Sequence, residues 1–281
     1  RLGGVYRVSD WSSENANMFR ALKLEKTMIG ILLSRPAASL IADSWNWRGY
    51  YVTSAVLMTV LAGALARYLP TLQPAAKVSY GALLRSFPKL LRDEPVLRVR
   101  SWTAALVMAS FTAFWAAVAL RLPDAPFKLD ARGIALFALI GVAGAAATPI
   151  AGRWGDRGFA RPLLIVSHLL IAGALALCAW AGMIESRVAA LSLLGVGAVL
   201  LDFGITTDQT LGRRAVNLLQ PEARGRINGL FVALFFIGGA VGAATASAAW
   251  SFGGWTAVCA VAATFGMLGF ITDIATKTGS E

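Results

Sequence analysis

Few side chains in this sequence can do chemistry, and most of those stand inside apolar stretches. Arg35 lies near the middle of an apolar run from Thr27 to Asp43. A charge at the centre of a membrane helix costs about 2.5–3.5 kcal/mol on insertion scales, so it has to face a protein interior or a wet cavity. Arg35 therefore reads either as an anion-binding group or as half of a buried ion pair. Asp202 is the one acid well inside an apolar run, toward the end of Val188–Thr206. That position leaves open a solvated helix-end role and a gating or proton-linked role. Asp208 falls past that end and reads as a loop charge. The single histidine, His168, is a residue type able to carry protons. Phe111, Phe114 and Trp115 recur at helical spacing, as do Phe231, Phe235 and Phe236. Such stripes serve as plain helix packing, or as walls that hold an amphipathic molecule through apolar and cation–π contact. An intramembrane enzyme needs paired acids, a histidine–acid cluster or an activated nucleophile. The sequence shows no such set, so no catalytic residue is assigned. Cys178 and Cys259 lie in apolar runs with no zinc or disulfide spacing, so neither a metal nor a cofactor is expected.

The elements that must position these groups follow from composition. Of 281 residues, 57% are hydrophobic and 15% charged, where soluble domains carry roughly a quarter charged residues; mean hydropathy is +0.64. The apolar residues form long blocks, with none of the ten-residue alternation of a β-barrel, so the fold class is an all-α integral membrane protein. About eight spans are expected: Thr27–Asp43, Tyr50–Leu69, Arg100–Leu120, Gly133–Ala151, Pro162–Met183, Val188–Thr206, Gly229–Trp250 and Trp255–Thr272.

A net charge of +11 would point to nucleic acid in a soluble chain. Here it is explained by topology. Alternating the loops leaves only Arg48, Arg121, Lys128, Arg132 and Arg187 on one side, a better than threefold bias toward the other. The positive-inside rule then places both termini in the cytoplasm, and no nucleic-acid partner is expected.

Four regions result. Residues 1–26 are a polar tail that fits no span, and residues 27–69 hold two helices. Residues 70–99 are a basic stretch broken by Pro74, Pro88 and Pro95, with a short amphipathic segment at Tyr80–Leu91, and read as a cytoplasmic linker. Residues 100–281 hold six helices. A faint internal repeat supports this division: Gly30, Ser39 and Trp47 fall on Gly238, Ser247 and Trp255 without a gap. The first two spans then correspond to the last two, as the closing pair of a preceding six-helix half. With Arg at position 1 and no signal-peptide pattern, a processed or partial chain is expected.

The segment Gly152-Arg153-Trp154-Gly155-Asp156-Arg157-Gly158, followed by Arg161, resembles the cytoplasmic G-x-x-x-D-R-x-G-R-R signature of the major facilitator superfamily; Phe159 stands where a glycine is usual. Pro221–Arg226 and Leu201–Gly204 are similar to segments of bacterial drug and sugar efflux members. The run Gly30–Ser39 is similar to the Gly/Pro-rich motif of antiporter fifth helices, keeping Pro36 but with Arg35 and Ser39 in place of glycines.

This resemblance implies a partial fold of that superfamily lacking its first four helices. The implied protein is a secondary transporter of the bacterial inner membrane that works by alternating access, as a proton-coupled efflux system with a small-molecule substrate. It further implies a substrate or ion pathway at Arg35, Phe111, Phe114, Trp115, Asp202, Phe231 and Phe235, and a conformational-switch loop at Gly152, Gly155, Asp156, Arg157 and Arg161. His168 would stand on a lipid-facing outer helix. The competing expectations are a stand-alone eight-helix membrane subunit or channel, and an intramembrane enzyme.

Overall fold

The computed structural model describes residues 47–68, 80–220 and 223–276. The first expected span, with Arg35, Pro36 and Ser39, lies outside them, as does the polar tail. The described chain runs α1 (Trp47–Tyr68), α2 (Tyr80–Asp93), α3 (Pro95–Arg121), α4 (Ala131–Ala138), a 3₁₀ segment (Leu139–Ala146), α5 (Ala147–Trp154), a π turn (Gly155–Phe159), α6 (Ala160–Ala181), α7 (Arg187–Asn217) and α8 (Arg224–Thr276). No strand occurs among the described residues.

Each expected crossing in this region is helical, with three informative differences. The 53 residues of α8 would make a straight rod of roughly 80 Å, far beyond a hydrocarbon core of about 30 Å. The chain instead turns back at Gly253–Gly254, where Gly254 takes φ 57°, a left-handed conformation that a side chain disfavours. The fourth crossing is not one α-helix but α4, the 3₁₀ segment and α5 in succession. Asp130 caps its start, its Oδ1 accepting from the Gly133 amide at 2.8 Å. Finally, α7 runs on to Asn217, well past Thr206. Thr207 and Thr210 donate their hydroxyls to carbonyls one turn back, so the polar residues there do not interrupt the helix.

In lipid, helices are held together by close packing and not by water exclusion. The tightest seam joins α3 to the first arm of α8. A methyl group on Gly238 or Gly242 would overlap the carbonyls of Ala105 and Ala109, and Thr112 crosses the seam to donate to the Gly239 carbonyl at 2.8 Å. The larger core gathers Phe114, Ile171, Leu175, Leu194, Leu201, Trp255 and Val258. A smaller one gathers Leu90, Leu97, Val216, Ile227, Phe231 and Phe235, where amphipathic α2 seats its apolar face across the bundle end. By contrast, no part of the apolar window of α1 is buried.

Candidate functional site

Two places in the bundle bring charged side chains into its interior. The first is at the middle of α7, a helix of 31 residues. Asp202 lies midway along it and is buried, not at a solvated helix end as its sequence position implied, because α7 continues another four turns. The Trp115 indole donates to Asp202 Oδ1 at 3.0 Å. On its other side Asp202 meets the 3₁₀ segment. A methyl on Gly144 would come within 2.6 Å of the Asp202 Cβ, and one on Gly141 within 2.9 Å of Oδ2. The break in the fourth crossing therefore sits where backbone passes a buried carboxylate, the setting in which irregular backbone is tolerated at membrane depth.

Trp115 also walls an open cavity of about 430 Å³, together with Thr112, Ala119, Leu122, Ile134, Phe137 and Ala243. The cavity is apolar apart from Thr112 and the indole edge. The other aromatic residues of the expected pathway stand elsewhere. Phe114 is fully buried and stacks on Trp255 at 5.7 Å between ring centroids. Phe231 and Phe235 pack into the smaller core beneath α2. Phe111 is half-buried, 6.3 Å from the Trp115 ring. Of the expected pathway residues that the structure describes, Trp115 lines the cavity and Asp202 stands directly behind it.

The second place was not legible in the sequence. His168 faces the bundle interior, not lipid, and its Nε2 lies 2.9 Å from Asp273 Oδ2 on α8 and 3.8 Å from Asp208 Oδ1 on α7. Arg100, on the first turns of α3, reaches both Asp273 oxygens at 3.1 and 3.2 Å. All four side chains are at most 7% exposed. Asp208 is thus not a loop charge and Arg100 not the edge of its span, because α3 begins at Pro95 and α7 ends at Asn217, which carries both into the bundle. His168, Asp208 and Asp273 place ligand-type atoms within 4.8 Å of one another. The Arg100 guanidinium occupies the carboxylate face that a metal cation would need, which makes this a salt-bridge set.

The residues of the expected conformational-switch loop sit together in the hairpin between α5 and α6. Gly158 takes φ 87° in the π turn, letting the chain reverse from α5 into α6. Asp156 Oδ1 accepts from Arg214 Nε of α7 at 2.9 Å. Gly155 is buried against Leu211, which a methyl would approach to 2.8 Å, whereas Gly152 has open space around it and Arg157 is exposed. Arg161 borders a cleft of about 30 Å³ that leads to Arg100 and Asp273.

The described residues thus form a polytopic helical bundle with buried charges, an apolar cavity and a Gly-Asp-Arg hairpin between crossings, the features of a multi-spanning membrane protein. The chain belongs to the Major Facilitator Superfamily, whose sequence profile matches residues 27–215. It is 30% identical over 244 residues to the putative uncharacterized transporter YgaY of Escherichia coli K12, covering 87% of this chain and 60% of that protein. It is 28% identical over 242 residues to the probable transporter SCO4007 of Streptomyces coelicolor, covering 86% of this chain and 55% of that one. Over 34 residues, 12% of the chain, it is 65% identical to the lipoprotein-releasing system transmembrane protein LolC of Xylella fastidiosa, covering 8% of that protein. The chain spans somewhat over half the length of the transporters it matches.

Proposed function

We propose that this chain supplies one wall of the pathway of a secondary transporter that exports amphipathic, cationic small molecules by alternating access. The observation that carries this reading is the 430 Å³ apolar cavity whose indole edge is hydrogen-bonded to the buried Asp202. Apolar walls accept the body of an amphipath, the Trp115 face accepts a cation, and the carboxylate behind it supplies negative potential without filling the space. Pathways in such proteins run between two bundles near the midplane. α3–α8 form one bundle. The unburied apolar α1 supports assignment to the other, with residues 70–99 as a cytoplasmic linker and the inner membrane as the location. Because one bundle presents half a pathway, the chain alone should bind but not move substrate.

Ethidium is a suitable probe, being a flat lipophilic cation. The full chain in lipid nanodiscs is expected to bind it, with Trp115→Ala weakening binding by roughly tenfold or more. Unchanged binding in that variant would remove the cavity from the pathway. Ethidium flux driven by a pH gradient in liposomes containing this chain alone would refute the half-pathway assignment.

A further inference from the structure

The amphipathic helix α2 carries a surface that neither the cores nor the cavity uses. Placed at about 100° per residue, its side chains divide into an apolar arc with Leu84, Phe87, Leu90 and Leu91 and a basic arc with Arg85, Lys89 and Arg92. Leu84 closes the apolar arc on the side nearest Arg92 and Arg85. The one acid of the helix, Asp93, stands about 180° from Leu84.

The bundle covers only part of the apolar arc. Leu90 is buried among Val216, Ile227 and Phe231, with Phe87 and Leu91 packed at its edge. Leu84 remains 55% exposed. Arg85, Lys89 and Arg92 are exposed, and none of them forms an ion pair among the described residues. Rolling the helix to hide this strip is opposed at its C-terminus. Arg98, on the first turn of α3, donates Nη1 to the carbonyls of Leu91 and Arg92 at 3.2 and 3.4 Å. Glu94 accepts from the Gln220 amide just past the end of α7. The strip therefore faces outward by construction, at the bundle end where α7 stops and α8 starts. Arg213, Arg214, Arg224 and Arg226 stand at that same end.

A leucine beside unpaired cations, at the end of a membrane bundle, matches the layering of a leaflet surface, where hydrocarbon gives way to phosphate. Long cationic side chains keep their heads at the phosphate level while their stems lie along apolar surface. We infer that α2 is a docking surface for anionic phospholipid headgroups. Arg85, Lys89 and Arg92 donate to phosphate oxygens, and Leu84 enters the acyl region beneath them. Phosphatidylcholine presents the same phosphate but offsets it with its own ammonium, so the surface discriminates by net headgroup charge. Each Lys or Arg near an anionic leaflet strengthens attachment by roughly fivefold, and three of them by about a hundredfold. The inference needs the bundle to sit in a bilayer and does not depend on the cavity or on transport.

The test is amide hydrogen exchange of the full chain in nanodiscs of phosphatidylcholine, with and without phosphatidylglycerol, alongside native mass spectrometry of phosphatidylglycerol retained from mixed micelles. Exchange across α2 should slow when phosphatidylglycerol is present, with α6 unaltered, and high salt should shrink the difference. Arg85→Gln, Lys89→Gln and Arg92→Gln together should weaken phosphatidylglycerol retention by about a hundredfold and abolish the α2 protection. Leu84→Gln should weaken retention less. Arg153→Gln with Arg157→Gln, which removes exposed cations from the α5–α6 hairpin, should leave α2 protection as in wild type. Equal α2 exchange of wild type in the two lipid mixtures would overturn the proposal, and this comparison decides it even where a variant fails to fold. So would lipid-dependent protection that survives the triple substitution, or equal protection by soluble glycerol phosphate, which would make the surface a site for free phosphate. Loss of ethidium binding with α2 protection intact would count against the transporter reading and leave the lipid surface standing.

Discussion

The two buried charged regions differ in how their acids are held. Asp202 is approached by an indole donor and by bare backbone at Gly141 and Gly144. Asp208 and Asp273 sit in a set closed by side chains from four helices. The first arrangement keeps one side open to the cavity through Trp115. The second spends the charge of Arg100 inward and borders a cleft of about 30 Å³. A carboxylate that serves a passing ligand needs a soft partner that can be shared, whereas one that holds the bundle ends together needs a permanent counter-charge. Both acids lie on α7, six residues apart.

The largest effect is expected where the permanent counter-charge is removed. Arg100→Met leaves two carboxylates uncompensated, and breaking a buried pair from one side costs about 3–5 kcal/mol. Thermal unfolding in detergent should show that loss, and Asp273→Asn in the same chain should restore a large part of it. If Arg100→Met alone is as stable as wild type, the set is not a closed ion-pair network.

Next comes Gly144→Ala. The added methyl would stand 2.6 Å from the Asp202 Cβ and 3.1 Å from its backbone carbon, so the 3₁₀ segment must move. Overpacking of this kind costs about 1–3 kcal/mol. Gly152→Ala is the matched control, with none of the described residues within 4 Å of the added methyl. Helix propensity alone favours alanine over glycine by about 1 kcal/mol, so an equal effect of both substitutions would mean that contact with Asp202 contributes nothing at Gly144.

Trp115→Phe probes the softer partner. It keeps an aromatic wall but deletes the indole donor, and leaving a buried acceptor short of a hydrogen bond costs about 1–3 kcal/mol. Ethidium affinity should fall less in this variant than in Trp115→Ala, since the ring face remains. A larger loss for phenylalanine would show that the hydrogen bond to Asp202, and not the ring, holds the cavity open.

The fold was readable in sequence because a bilayer imposes length and polarity on every crossing: seven of the eight expected spans fall on described helix. The interior charges were not, because a residue near the end of an apolar run looks the same whether the helix stops or continues. Asp208 reads as a loop charge and Arg100 as a span boundary because Thr206 and Arg100 mark the ends of apolar runs, yet α7 reaches Asn217 and α3 begins at Pro95. Asp273, past the last apolar run, carried no signal of its own. What could have found the set is depth: Arg100 follows the start of α3 by as much as Asp273 precedes the end of α8 within a few residues, and His168 and Asp208 are likewise set in from helix ends that meet at one face. Among the aromatics, spacing alone could not separate Trp115 at the cavity from Phe114 in the core, since adjacent residues of a helix point about 100° apart.

The smallest stability effect belongs to the pair that joins the α5–α6 hairpin to α7. Asp156 is 70% and Arg214 38% exposed, and exposed pairs of this kind contribute about 0–1 kcal/mol. Asp156→Asn should therefore leave the unfolding temperature nearly unchanged. The same substitution separates structural from conformational roles, because Arg214 is on α7, beyond Asp208, and the loop joins α5 to α6, which carries His168. If the pair restrains α7 against the loop, its removal should speed amide hydrogen exchange in Gly155–Phe159 and around Leu211 while the rest of the bundle stays protected. Faster exchange confined to the loop tip, with the Leu211 region unaltered, would show that the pair fixes only the hairpin and does not couple it to the helix carrying both acids.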